Sequence, residues 1–176
     1  MNTAITIITI IATIVILLLI FAALMKKGYK THSEVIILVS QQKAFDYLKH
    51  IKNQDNFNKW LMIDPNMKKE FNGIDGTVGF VYAWNGNKEA GEGEQEIKGI
   101  VGEKNIEMEI RFKRPFAGIA YATMATEYLS DNQTKVIWNT SSSMKYPLNI
   151  MLPLIEKMLE KDMRVSLTTL KNILEK

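Results

Sequence analysis

The chain has 176 residues, with 22 Lys plus Arg against 19 Asp plus Glu, two His and no Cys. A net charge of +3 is too mild for a nucleic-acid footprint. The lack of Cys excludes disulfides and thiolate metal sites, and is compatible with a reducing compartment.

The first element is the most distinctive. Residues Ala4–Leu24 (AITIITIIATIVILLLIFAAL) contain no charge, no Pro and no Gly. As a helix they span about 31 Å, the thickness of a bilayer's hydrocarbon core. The Thr hydroxyls can bond back to carbonyls one turn earlier, so they cost little in lipid. A cleaved leader needs a basic start, a shorter apolar stretch and an Ala-x-Ala-like site, whereas Met1-Asn2-Thr3 has no cation. A core helix would carry a polar stripe, and this run has none. The expectation is a single-pass membrane anchor over 4–24, a linker over 25–32 and one soluble domain over 33–176. Lys26, Lys27 and Lys30 follow the run and no cation precedes it, which places the domain on the cytoplasmic side.

Glu34–Val39 (EVIILV) is a β-branched run and reads as a strand. Ser40 then caps a helix in which Ala44, Phe45, Leu48 and Ile51 recur at helical spacing. Asn53–Trp60 reads as a second short helix, with Phe57 and Trp60 on one face, ended by Asp64-Pro65-Asn66. Six strands follow. They are Met67–Phe71; Thr77–Trp84, where Val78, Phe80, Tyr82 and Trp84 alternate; Gly91–Val101; Asn105–Lys113; Gly118–Leu129; and Lys135–Ser143. Asn85-Gly86 is the strongest hairpin signal. From Pro147 the chain becomes a long amphipathic helix, regular from about Leu152, with Ile155, Met158, Leu159, Met163, Leu167, Leu170 and Leu174 as its apolar stripe.

This order predicts an α+β domain: a seven-stranded, curved antiparallel sheet wrapped around the C-terminal helix, the helix-grip fold, preceded by the apolar N-terminal helix. Space between sheet and helix is the default ligand site. The residues Val39-Ser40, Ala44-Phe45-Asp46-Tyr47-Leu48, Asn56–Trp60, Asp64-Pro65-Asn66-Met67, Tyr82-Ala83-Trp84-Asn85-Gly86-Asn87, Gly91-Glu92-Gly93-Glu94, Arg114-Pro115-Phe116 and Val136-Ile137-Trp138 carry a resemblance. Over about residues 34–175 the sequence resembles the polyketide cyclase/dehydrase and lipid-transport-like group of the START/Bet v 1 (SRPBCC) superfamily. The resemblance implies that fold. It implies no particular reaction, because the superfamily shares a shape and not a chemistry.

Candidate site residues follow from the strand faces. Phe80, Tyr82, Trp84, Phe112 and Trp138 form aromatic rows able to line a pocket, or simply to fill a core. Gly93, on a row with Gln95, leaves volume unfilled or marks a bulge. Tyr121 is read as inward-facing, and Met151 and Met158 as adaptable ligand contacts on or beside the last helix. Glu92, Glu94 and Glu96 share the opposite face. They are either an acid/base group or ordinary cross-strand pairing with Glu107, Glu109 and Arg111. His32 and His50 lack ligand spacing, so neither a metal nor a cofactor is expected.

The leading reading is a membrane-anchored binding module for a hydrophobic small molecule or lipid. Two alternatives stay open. One is a cyclase- or dehydratase-like enzyme with acid/base groups in the same cavity. The other is a protein-interaction module, like the co-chaperone activators of the Hsp90 ATPase that share the fold.

Overall fold

The computed structural model describes residues 2–176. In chain order the elements are α1 (Thr3–Leu24), β1 (Gly28–Ile37), α2 (Gln41–Lys49), a 3-10 helix (Ile51–Asn56), α3 (Lys59–Met62), β2 (Lys68–Asn72), β3 (Val81–Asn85), β4 (Glu92–Val101), β5 (Asn105–Arg114), β6 (Gly118–Ser130), β7 (Gln133–Ser143), a second 3-10 helix (Leu148–Met151) and α4 (Leu152–Leu174). The strands form one antiparallel sheet in the order β1-β7-β6-β5-β4-β3-β2. The expected helix-grip architecture is present: a curved seven-stranded sheet, a long C-terminal helix and one apolar N-terminal helix.

β1 begins inside the segment expected to be a linker. Gly28 already pairs with Ser143, and the ladder runs unbroken to Ile37 opposite Thr134. Its first half escapes a hydropathy reading because its inward residues are hydroxylic. Thr31 is buried and donates to the Thr140 carbonyl and to Met163 Sδ, and Ser33 is buried beside it. At the other end Ser40 caps α2 by accepting from the Lys43 amide. Thr134 Oγ1 donates to the Val39 carbonyl, and the strand ends two residues before its predicted limit.

The helix predicted over Asn53–Trp60 is two pieces. Phe57 breaks the 3-10 helix from α3, and the Asn58 side chain starts α3 afresh by accepting from the Trp60 amide. β3 is shorter than its alternation suggests. Val78 is exposed and Gly79 has φ +89°, so the ladder with β2 starts only at Val81. The Asn85-Gly86 hairpin is not a two-residue turn. It is a longer loop in which the Asn87 side chain accepts the Glu89 and Ala90 amides, and Gly91 closes it at φ +68°.

α4 packs along β1, and α2 covers β6 and β7. The core between them joins Phe45 and Leu48 of α2 to Met124, Val136, Met163 and Leu167. The buried stripe of α4 runs through Leu152, Met163, Leu167, Leu170 and Leu174. Met158, expected in that stripe, is 51% exposed. Five residues at 100° each turn it about 140° away from Met163. α1 stands off the domain, with only Ala22 buried. It is long and apolar enough to cross a membrane.

Candidate apolar binding site

The space between sheet and α4 divides into a closed half and an open half. In the closed half, near α2 and α3, Phe80, Tyr82, Gln95 and Trp138 are all buried. Tyr82 donates its hydroxyl to Asp55 at 2.5 Å, and Lys69 Nζ sits 2.9 Å from the same carboxylate. Burial, followed by the hydrogen bond to Asp55 and then that carboxylate's charge, pushes the Tyr82 phenol far above its ordinary range. Three buried amides form a chain: Asn58 donates to Gln54 Oε1 at 3.0 Å, and Gln95 reaches the same oxygen at 3.4 Å. Trp138 packs edge-on against Trp60, with ring centroids 5.6 Å apart. Its buried Nε1 has no hydrogen-bond partner among the described residues.

The open half lies at the end of the sheet from which α1 departs. That end is marked by Gly28 opposite Ser143 and by the Met144 amide donating to the Lys27 carbonyl. Here Trp84 and Phe112 meet edge-on at 6.0 Å, and Phe112, the last apolar residue of its row, is 38% exposed. Across from them, Met151, Ile155, Met158 and Asp162 are spaced four, three and four residues apart, so they share one side of α4. Asp162 forms an ion pair with Lys59 of α3, so this side of α4 is turned toward α3, away from β1. α4 leans on the β1 edge, and along the inner row of β5 exposure rises from Met108, buried, through Ile110, part-buried, to Phe112. Phe112, with the part-buried Ile110 and the buried Trp84 ring behind it, ends the inner rows here as an apolar shelf, and Met151 and Met158 are exposed at and on α4.

Two residues sit differently from expectation. Tyr121 is on the outer face of β6, 55% exposed, between the buried inner-row residues Ala120 and Ala122. Strand alternation puts every second residue outside, and the small alanines, not the tyrosine, form the inner row. Gly93 leaves no vacant volume. A Cβ there would lie 2.6 Å from the Arg111 carbonyl oxygen and 2.7 Å from the Trp84 ring, so the indole already fills that space. β4 also shifts register at Glu92/Gly93 and at Ile97/Gly99, so its glycines go with bulges.

The acidic row is outside and paired. Arg111 binds Glu94, Glu96 and Glu109 at 2.7, 2.8 and 2.5 Å, and Arg114 binds Glu92 at 3.0 Å. Lys98 and Arg111 hold the Glu96 carboxyl below its usual range, and Arg114 does the same to Glu92. Carboxylates stabilised as anions in this way are poor proton donors. No group of His, Asp and Glu suited to a metal occurs among the described residues.

Two concavities are open at the surface. One, of about 570 Å³, is an open depression lined by Ser40, Lys43, Asp46, Tyr47 and Leu174. The other, of about 130 Å³, lies near the sheet edge and is lined by Lys68, Glu70, Ala83, Glu92 and Lys113 together with Trp84 and Gly93. Sequence reasoning missed the buried amides Gln54 and Asn58, the carboxylate of Asp55, and Asn149. None of them carries a periodic signal, since each is a polar residue in a short or irregular segment.

No protein-family model matches the chain, and no curated protein sequence matches it. Solved structures do. Norcoclaurine synthase from Thalictrum flavum, in complex with dopamine and hydroxybenzaldehyde, is 14% identical with a TM-score of 0.63, over 84% of this chain and 86% of that one. The protein XoxI from Bacillus cereus is 11% identical with a TM-score of 0.61, over 82% and 94%. Ara h 8.0201 is 13% identical with a TM-score of 0.53, over 81% and 98%. At these identities the likeness is one of fold, and the fold is Bet v 1-like.

Proposed function

We propose that this chain is a membrane-tethered binding module that holds a hydrophobic small molecule or lipid on the shelf between β5 and α4. The observation that carries the reading is the asymmetry of the interior. Its far half is closed by packed aromatics and amides, while Phe112, resting on the buried Trp84 ring, and Met151 and Met158 leave apolar surface accessible at the α1 end. Aromatic and methionine side chains suit irregular apolar ligands. The anchor supports the same reading: α1 has the length and composition of a single span. Tethering keeps a membrane-derived ligand at high local concentration. Lys26 and Lys27 after the span favour a cytoplasmic domain.

The enzyme reading has less support. In the closed half the titratable pair is Tyr82 with Asp55, and the phenol is sealed from solvent and held protonated. The reading is tested by native mass spectrometry of the full chain released from mild detergent. A bound apolar molecule in wild type that is lost in Phe112→Asp, while Tyr121→Asp retains it, is the expected result. Equal occupancy in both variants, or none in wild type, contradicts it.

A further inference from the structure

α1 does not hang from a loose linker. The side-chain amide of Asn149 donates to the Ala22 carbonyl at 2.6 Å, and it lies 3.4 Å from the carbonyls of Met25 and Lys26. Lys26 also pairs with Glu156 in the first turns of α4 at 2.6 Å. Asn149 and Ala22 are both fully buried. The 3-10 helix Leu148–Met151 is therefore level with the last turn of α1. If α1 spans a bilayer, that turn is where hydrocarbon gives way to headgroups.

The surface at this level has the composition of an interface. Phe116, in the β5–β6 turn, is 69% exposed, and Leu154, in the first turn of α4, is 68% exposed. Lys145, Tyr146 and Leu148 are exposed between them in sequence, and Lys27, whose carbonyl accepts from the Met144 amide, is exposed as well. The β5–β6 turn belongs to the same end, because Gly118 pairs with Phe112 and Ala120 with Ser142, two strands from β1. Large apolar side chains that gain nothing from water, ringed by lysines, match the layer where acyl chains meet anionic headgroups.

We infer that this end of the domain is a second membrane-contact surface, in which Phe116, Tyr146, Leu148 and Leu154 enter the interfacial layer of an anionic bilayer. The inference rests on the reading of α1 as a membrane span. It goes further, since an anchor alone requires no contact by the domain. The Asn149 joint places this end of the domain toward the lipid, and it is the end at which the β5–α4 shelf opens. A ligand then passes between bilayer and shelf without crossing water.

The absence of native Cys allows a direct test. Full-length Phe116→Cys, Leu154→Cys, Ile74→Cys and Val15→Cys are each labelled with an environment-sensitive fluorophore. They are then reconstituted in vesicles of phosphatidylcholine and phosphatidylglycerol containing nitroxide-labelled lipid. Ile74 is exposed at the opposite end of the domain and Val15 is mid-span. Blue-shifted, quenched emission at 116 and 154, with water-like emission at 74, is expected. Water-like emission at 116 and 154 with lipid-like emission at 15 overturns the contact surface and leaves the anchor standing. Water-like emission at 15 overturns the anchor itself, and this inference with it.

Discussion

Asn149 fills the hydrogen-bonding gap at the end of α1 by donating to the Ala22 carbonyl, 127 residues away in sequence. The last carbonyls of any helix lack partners within it. Here a buried side chain from the β7–α4 connection supplies one. A segment that looks in sequence like a detachable tether is thereby hydrogen-bonded to the domain.

Asn149→Ala should destabilise the full chain by about 1–3 kcal/mol, the cost of leaving a buried carbonyl without a donor. Asn149→Asp should do no better, because an ionised carboxylate cannot donate. Denaturant unfolding in detergent micelles measures both. Either variant unfolding at the wild-type midpoint contradicts the joint.

Gly93→Ala should lower stability by about 1–3 kcal/mol through overpacking against Trp84 and the β5 backbone. Gly93→Leu should fail to fold, since the Arg111 carbonyl oxygen cannot move aside within a paired strand. Thermal melts of the two variants decide this. A Gly93→Leu protein as stable as wild type would restore a cavity at that position.

The two sides of α4 should respond differently to charge. Leu167→Asp puts a carboxylate into the core and should remove much of a typical total stability of about 5–15 kcal/mol. Met158→Asp, on the exposed side, should change stability by no more than about 0.5 kcal/mol. Equal losses would mean that α4 is rotated from the described position.

The Arg111 cluster sets an acid limit. Glu96 has a folded-state pKa below that of the unfolded chain. Its contribution is therefore present above about pH 4.3 and is lost as pH falls through the lower folded value. Arg111→Gln should cost about 1 kcal/mol at neutral pH. It should also flatten the dependence of stability on pH below about 4.3, as followed by unfolding at a series of pH values. An unchanged acid slope would exclude this network as its source.

Much of this architecture is legible in the sequence. The β-branched and alternating runs give the strands, Ser40 gives the cap of α2, and the 3.6-residue stripe gives α4. What escapes is what depends on partners distant in sequence. Thr31 and Ser33 look like linker residues until β7 and Met163 bury them. Met158 falls within an apolar stripe whose exact edges depend on which strand α4 chooses to lean on. Tyr121 carries the bulk of its strand, yet its register places that bulk outside. Gly93 signals a small residue, and only the position of the Trp84 ring shows that the space is taken. The site was legible as a set of aromatic rows. Their division into a sealed half and an open half required the three-dimensional packing.

An apolar ligand held on the β5–α4 shelf beside a membrane can be trapped by photo-cross-linking. The full chain is reconstituted in vesicles containing a trace of a diazirine-bearing lipid, irradiated, and mapped by peptide mass spectrometry. Saturable labelling of Phe112 and of the Met151–Met158 segment is expected, over and above the labelling of α1, with none at Tyr121. Labelling confined to α1, with Phe112 and Met158 unmodified, would contradict it.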